Sequence, residues 1–300
     1  MSVGELLDAT FSLYRRNFLL IAAISAIVQV PYAVLQFVLY QLFGLNTLLR
    51  SPFTRLNIAP GQSQQVTTQQ LQDYLNSFGA FFVVVAVLAL VGVFIVLPLA
   101  TAATTRAVSD RYLERPASVG SSYAAALRRM RALIWQSLIL LGGFLLVYAL
   151  AIGLVVALSL VAGAAAAGLG ILLVIAAIPF VLFVYVRTSL APPAIVLENL
   201  SGWRGLVRSW NLVRGFSWRI LGIRILIVLI TGIIGGLLVG LLSLAGAGLD
   251  LNGQFIVQQA ASAVISVLIG PVTYIAVTLL YYDTRIRKEG FDIEMLARSL

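Results

Sequence analysis

The sequence predicts an all-α protein, a polytopic membrane bundle of six transmembrane helices. Three observations predict it: the composition, six long apolar runs and a one-sided distribution of arginine. Hydrophobic side chains make up 61% of the 300 residues and charged side chains 10%, whereas a soluble domain carries about 25% charged residues. Folded in water, such a chain would expose large apolar patches. The composition therefore excludes a soluble enzyme and favours a protein that lies in a membrane.

The apolar runs have the length of membrane helices, since crossing the ~30 Å hydrocarbon core takes about 20 apolar residues. The first run does not have the form of a cleaved signal peptide, because Glu5 and Asp8 precede it and it is longer than the apolar part of such a peptide. We expect one membrane domain over residues 1–300. The six runs are at about 18–43, 80–105, 133–160, 170–191, 220–246 and 255–282.

The basic residues fall on one side of these six runs. Eighteen of the 20 lysines and arginines lie in the N-terminal segment, in the connections 106–131 and 187–224, or in the tail. Only Arg50 and Arg55 lie in the connection 44–79. Because cytoplasmic loops of membrane proteins are enriched in lysine and arginine, this distribution predicts a multi-pass protein of the cell inner (plasma) membrane. Both termini are expected in the cytoplasm and 44–79 is expected to be an external loop.

The chain lacks the residue types that most enzymes use. It has no cysteine and no histidine, so it has no thiolate nucleophile and no imidazole for proton transfer or metal ligation near neutral pH. No phosphate-binding loop, dinucleotide fingerprint or nucleophile–base pair is present in the sequence. We therefore expect no catalytic residue, no cofactor and no metal site. The net charge of +9 is explained by the membrane orientation, so no nucleic-acid partner is expected.

A threefold internal pattern accompanies the spans. Short arginine-bearing segments precede the first, third and fifth runs, and Pro98, Pro179 and Pro271 lie in the even-numbered runs. The pattern predicts three copies of one unit: amphipathic helix, span, external turn, span. The units are expected at about 1–115, 116–198 and 199–300.

Each unit is expected to begin with an amphipathic helix. Ser2 and Glu5 have the spacing of a capping box at the start of the first, and Gly215 is a stop signal for the third. The second is expected over 119–134. In 201–214, one apolar stripe runs along the helix while Arg204 and Arg208 face away. The members of the stripe are Trp203, Leu206, Val207, Trp210 and Val213.

Helices that carry tryptophan and arginine lie in the plane of the membrane interface, with their cations toward anionic phosphates. Two interpretations stay open: the amphipathic helices are elbows that fix the topology, or they bind lipid or a partner. The candidate contacts for anionic lipid or a partner are Arg204, Arg208, Arg214, Arg285, Arg287 and Lys288.

Polar residues inside the spans leave two interpretations open as well. Side chains such as Gln29 and Gln36 form interhelical hydrogen bonds or line a polar cavity. Arg187 is expected either to bind an anion or to form a salt bridge with Glu198 or Asp283. The candidate cavity residues are Gln29, Gln36, Arg187 and Tyr274. A ridge of small residues at Gly232, Gly236 and Gly240 allows a helix of this chain or of another protomer to approach closely.

The tail 279–294 is the most distinctive stretch of the sequence. Tyr281 and Tyr282 are expected in an interfacial aromatic belt. The acidic residues that follow are expected to pair with arginines of other units, and the arginines considered are Arg128, Arg129 and Arg214. The acidic residues in question are Asp283, Glu289, Asp292 and Glu294.

The tail, the opening Leu13-Tyr14-Arg15-Arg16-Asn17-Phe18 and the segment Arg208-Ser209-Trp210 together resemble a family of bacterial six-span membrane proteins. That family includes the membrane domain attached to some glycerophosphodiester phosphodiesterases. The resemblance covers essentially the whole chain. It implies an all-helical membrane fold and no established activity for members that stand alone.

These observations favour a non-enzymatic membrane protein that organises or binds lipid or partner proteins through its cytoplasmic amphipathic helices. Two alternatives stay open. One is a transporter or lipid-handling permease with a polar cavity between its spans. The other is an accessory subunit of a larger membrane complex, in which the ridge 232–240 packs against another chain. Membrane lipids are the expected partner, and a protein partner or a homo-oligomer is left open.

Overall fold

The computed structural model of the chain describes residues 1–43, 67–162 and 164–290. All regular secondary structure in these residues is helical. The helices are α1 (Val3–Arg16), α2 (Phe18–Leu42), α3 (Thr68–Val91), a π-helical turn (Gly92–Val96), α4 (Leu97–Tyr112), α5 (Val119–Ala162), α6 (Ala164–Thr188), α7 (Ala191–Leu197), α8 (Gly202–Val213), α9 (Ser217–Ser243), a 3₁₀ turn (Leu244–Gly246) and α10 (Leu251–Glu289).

Six helical stretches in the described residues are long and apolar enough to cross a membrane. They are Phe18–Leu42, Phe78–Tyr112, Val119–Leu160, Ile175–Leu197, Ser217–Gly246 and Leu251–Glu289. Each contains most of one predicted run, so the all-helical class and the six candidate spans are confirmed. The predicted external loop 44–79 falls largely outside the described residues, but α3 begins at Thr68, inside the range predicted to be loop.

The three amphipathic segments are joined to their spans in two different ways. Asn17 separates α1 from α2, and Gly215 separates α8 from α9 with a φ of +93°, a backbone conformation that glycine adopts without steric cost. In contrast, α5 is one helix of 44 residues, so 119–134 is not a separate interfacial helix. The reason lies in the sequence: residues 121–141, which join this segment to its span, contain no asparagine, glycine or proline to interrupt the helix.

The buried core lies at the end of the bundle where α1, α7 and α8 meet the spans, which we call the arginine-rich end. Its largest cluster joins Leu6 of α1, Leu212 of α8 and Ile223 of α9 to the last turns of α10. Away from this end the apolar faces are open: Leu145, which is 60% exposed, is typical of α5. Hydrocarbon is the solvent that such faces require, so the fold is compatible with a multi-pass membrane protein.

The aromatic residues differ from the prediction. Tyr281 and Tyr282 are buried, at 0% and 3% exposure, and therefore do not form an interfacial belt. Tyr282 stacks on Tyr112 with ring centroids 5.1 Å apart, and its hydroxyl lies 2.7 Å from that of Ser109. Tryptophans take the exposed positions at this end instead. They are Trp135, Trp203, Trp210 and Trp218, at 57%, 60%, 38% and 86% exposure.

Candidate functional site

Helix α8 lies against the rest of the arginine-rich end through its small residues. A Cβ on Gly202 would stand 2.5 Å from the carbonyl oxygen of Ala132 on α5, and a Cβ on Gly205 would overlap the side chain of Ile195 on α7. Ser209, fully buried, accepts a hydrogen bond from the Leu190 amide at 3.0 Å and so ties α8 to the break between α6 and α7. These contacts fix one side of α8 in the core.

The opposite side of α8 is open. The predicted apolar stripe divides: Leu206 and Val213 are buried, whereas Trp203, Val207 and Trp210 are exposed at 60%, 43% and 38%. An amphipathic helix with exposed tryptophan and valine on one flank has the pattern of a helix that lies in a membrane interface.

Arg208 is not free to bind a ligand, because two carboxylates from other elements hold it. Its Nε donates to Glu198 Oε2 at 2.9 Å and its Nη2 donates to Glu289 Oε2 at 2.8 Å. The hydrogen bond to Glu289 raises the pKa of the Arg208 guanidinium above its ordinary value. Arg285 donates to the same Glu289 at 3.2 Å, and the Tyr281 hydroxyl donates to Glu198. The cluster therefore joins α8 to the end of α10.

A second cluster surrounds Asp283, whose side chain is 2% exposed. Arg219 of α9 donates to Asp283 Oδ2 at 2.6 Å, Arg287 donates to it at 3.1 Å, and the Met1 ammonium group lies 2.5 Å from Oδ1. Next to this cluster, Lys288 donates to the backbone carbonyls of Asn211 and Arg214. A cation at the last carbonyls of α8 stabilises that helix end.

These clusters correct the predicted ion pairs of the tail. The acidic residues of the tail do pair with arginines of other elements, but the partners are not those considered. Asp283 and Glu289 take the partners given above, and Arg129 instead donates to the backbone of Asn199 at 3.1 Å. Asp292 and Glu294 lie outside the described residues.

Of the six predicted contact residues, four are therefore engaged within the chain: Arg208, Arg285, Arg287 and Lys288. Arg204 and Arg214 are exposed, and their side chains have no ion-pair or hydrogen-bond partner among the residues that the structure describes. We call the exposed arginines of this end the basic face. Its members are Arg15, Arg16, Arg111, Arg115, Arg128, Arg131, Arg204 and Arg214.

Arg187 does not form the salt bridge predicted for it, with either Glu198 or Asp283. Its guanidinium carbon lies 5.0 Å from the ring centre of Phe183 and 5.2 Å from that of Trp210. The Arg187 Nη1 donates one long hydrogen bond, 3.4 Å, to the Trp210 carbonyl. The Arg187 Nε is buried and has no acceptor in the described part of the chain. Both carboxylates are already held by arginines from α8 and α9, which explains the difference.

An apolar pocket of about 420 Å³, which we call the α8 pocket, lies beside Arg187 between α5, α6 and α8. Its described lining includes one hydroxyl, that of Thr188, which donates to the Val184 carbonyl at 2.8 Å. Sequence reasoning did not find this pocket, because its wall from α5 comes from a span that carries no polar signal. Apolar side chains in the wall include those of Phe144, Val147, Phe180, Trp203, Val207 and Trp210.

The structure does not bring the four predicted cavity residues together. Gln29 lines a groove of about 490 Å³ between α2, α9 and α10, but Gln36, Arg187 and Tyr274 are not in its wall. Gly232 lines the groove, and a Cβ on Gly232, Gly236 or Gly240 would meet no described atom within 4 Å. No described helix therefore packs closely against the small-residue ridge. The groove's hydroxyl-bearing residues are Thr231, Ser262, Ser266 and Thr273.

The comparisons with known proteins give a family. A family model described as Domain of unknown function (DUF7847) matches residues 1–284. The chain therefore belongs to this family, and the match spans nearly the whole length. No curated protein and no solved structure matches the chain.

Proposed function

We propose that this DUF7847 protein is a non-enzymatic, multi-pass protein of the cell inner membrane that binds and organises anionic lipid through α8 and the basic face. The observation that carries the proposal is the exposed side of α8. There Arg204 and Arg214 lack acceptors among the described residues, and Trp203 and Trp210 present apolar rings beside them. A helix with this combination binds an interface through buried apolar area and through attraction to anionic headgroups.

The proposal includes a topology. Because lysine and arginine concentrate on the cytoplasmic side of membrane proteins, the basic face and both termini are cytoplasmic and the 44–79 loop is external. It also includes the three units at about 1–115, 116–198 and 199–300. Support for the units comes from α1 and α8, each of which ends shortly before a span. The proposal also includes a relation to the membrane domain of glycerophosphodiester phosphodiesterases. This relation is supported by the sequence motifs in the tail, at 13–18 and at 208–210.

The test compares two double variants of the full-length protein in mild detergent. Arg204→Gln/Arg214→Gln removes two cations without breaking an intramolecular pair. The matched control Arg50→Gln/Arg55→Gln removes the same charge from the predicted external loop. Native mass spectrometry would measure retention of phosphatidylglycerol relative to phosphatidylcholine at matched lipid concentrations. Arg208 is left unchanged, since its loss would perturb the fold.

We expect the relative retention of phosphatidylglycerol to fall about tenfold in the α8 variant and to stay unchanged in the control. Added salt should reduce the difference, because exposed charges are screened. Equal retention by both variants would overturn the proposal. A protein that co-purifies in stoichiometric amount with the wild type and is lost with the α8 variant would instead favour the accessory-subunit alternative.

A second candidate function is a permease, and the groove between α2, α9 and α10 is the observation that favours it. Gln29 and several hydroxyl groups lie there in the middle of the spans, where lipid tails offer no hydrogen bonds. Since the chain has no cysteine, a single Ser266→Cys variant can be treated with a water-soluble maleimide, and Ser121→Cys serves as the exposed control. Labelling of both supports a water-filled path, and labelling of the control alone argues against a permease.

A further inference from the structure

The α8 pocket has the dimensions of a site for one alkyl chain. On α5 its wall runs from Ile139 to Val147, which at about 1.5 Å per residue is about 12 Å along the helix. One leaflet of the hydrocarbon core is about 15 Å deep, half of the ~30 Å total. The pocket begins at the interfacial helix α8 and extends into the span region between α5 and α6. Its volume, about 420 Å³, falls within the range of about 300–1,000 Å³ that is usual for small-molecule sites.

The chemistry of the wall selects an apolar occupant. The hydroxyl of Thr188 is already used by a backbone carbonyl of its own helix, 2.8 Å away. The described lining carries no charged side chain. A polar solute in this pocket would lose its hydrogen bonds to water without replacement, which is costly. An acyl chain loses none, and the two tryptophans at the α8 end of the pocket are of the type that sits at headgroup level.

The charge beside the pocket indicates the polar end of the occupant. Arg187 directly precedes the lining residue Thr188, and its guanidinium lies over Trp210, which is itself part of the wall. A guanidinium carries five N–H donors. In the described structure one of them makes a single hydrogen bond of 3.4 Å and Nε has no acceptor. Arginine binds phosphate in a bidentate manner, so a phosphate group matches the remaining Nη donors, because Nε itself is buried.

We propose that the α8 pocket holds one acyl chain of an anionic phospholipid whose phosphate binds Arg187. This inference rests on the proposed function, since it assigns a defined lipid position within the same end of the molecule. It differs from the general attraction of the basic face in stoichiometry, because one pocket holds one lipid. It also differs in location, because Arg204 and Arg214 are not part of the pocket wall.

Two neighbouring glycines on α5 provide a matched test of the pocket. Gly143 lines the pocket and Gly142 does not, and a Cβ on either would meet no described atom within 4 Å. Gly143→Phe places a ring in the pocket, whereas Gly142→Phe places the same ring on the adjacent face of the same helix. Native mass spectrometry of the full-length variants, purified in mild detergent with added phosphatidylglycerol, would count the lipids that survive increasing collisional activation.

We expect the wild type and Gly142→Phe to retain one phosphatidylglycerol after the others are lost, and Gly143→Phe to retain none. Retention by Gly143→Phe, or loss from both variants, would overturn the inference. Either result would leave the dependence of bulk lipid retention on Arg204 and Arg214 intact. The failure of this inference is thereby distinguished from failure of the proposed function.

A second variant keeps the inference testable if the introduced ring prevents folding. Arg187→Gln removes the cation and leaves the apolar wall in place. The last retained lipid should then lose its preference for phosphatidylglycerol over phosphatidylcholine by about tenfold, since a charge-assisted pair is replaced by a neutral one. An unchanged preference would show that Arg187 does not bind the phosphate and would overturn that assignment.

Discussion

Replacing Arg208 with glutamine should destabilise the fold while leaving the preference for anionic lipid unchanged. The side chain is 26% exposed, and its partners Glu198 and Glu289 are 20% and 30% exposed. The variant loses the hydrogen bonds at 2.9 and 2.8 Å and leaves two partly buried carboxylates with less compensation. Hydrogen bonds to charged groups contribute about 1.5–3 kcal/mol each. With about a quarter of each group exposed, the lower end applies, and the expected loss is about 2–3 kcal/mol in total.

The measurement is thermal or denaturant-induced unfolding in mild detergent, followed by the helical circular dichroism signal. Arg204→Gln is the matched control, because it lies four residues earlier on α8 and has no partner among the described residues. The control should unfold at the wild-type temperature and Arg208→Gln at a lower one. A double-mutant cycle of Arg208→Gln with Glu289→Gln should give a coupling of about 1 kcal/mol or more.

Two results would refute this reasoning. If Arg208→Gln and Arg204→Gln unfolded at the same temperature, the carboxylate cluster would contribute nothing measurable to stability. If Arg208→Gln lowered phosphatidylglycerol retention as much as the α8 double variant while its unfolding temperature stayed unchanged, the arginine would act at the lipid surface, as the sequence alone predicted.

Three further predictions concern other elements. Asp283→Asn should lower the free energy of unfolding by about 2–3 kcal/mol, because two arginines lose a carboxylate that is 2% exposed. Unfolding in mild detergent measures this loss, and a midpoint equal to that of the wild type would contradict the prediction. Gly205→Ala should cost about 1–3 kcal/mol through overpacking against α7, whereas Gly236→Ala, with open space around it, should leave stability unchanged or raised; equal midpoints for the two would refute the close packing of α8. In intact cells, an impermeant maleimide should label Ser63→Cys, and it should label Ser121→Cys only after permeabilisation, as the distribution of arginine requires; the reverse pattern would invert the topology.

Local sequence signals predicted local structure well. Ser2 and Glu5 form the capping box, with the Glu5 amide donating to Ser2 Oγ at 3.2 Å. Gly215 ends α8 in a conformation that side chains rarely adopt. At the start of α8 the N-cap residue is Ser201, and its side chain makes no capping hydrogen bond. The spans were recognisable because hydrocarbon thickness sets the minimum length of an apolar run that crosses a membrane.

What the sequence could not supply were the contacts between distant elements. The helical period shows which residues share a face, but not which helix that face meets. Tyr281 therefore resembled a belt residue, although it lies in the core and donates to Glu198. Arg187 resembled an ion-pair partner, although Glu198 is held by Arg208 in the folded chain. Competition among several arginines for few carboxylates is decided by packing, which no single segment encodes.

The same competition changes how the basic end of the molecule should be understood. A count of positive charges in the sequence treats all candidate cations as available to lipid. In the structure, Glu198, Asp283 and Glu289 neutralise a subset of them. Lys288 is held by the end of α8. Mutating the tail cations should therefore weaken the fold first and affect lipid binding only as a consequence. Arg204 and Arg214, together with the other members of the basic face, are the positions at which stability and lipid preference can be separated, because removing them breaks no ion pair in the described chain.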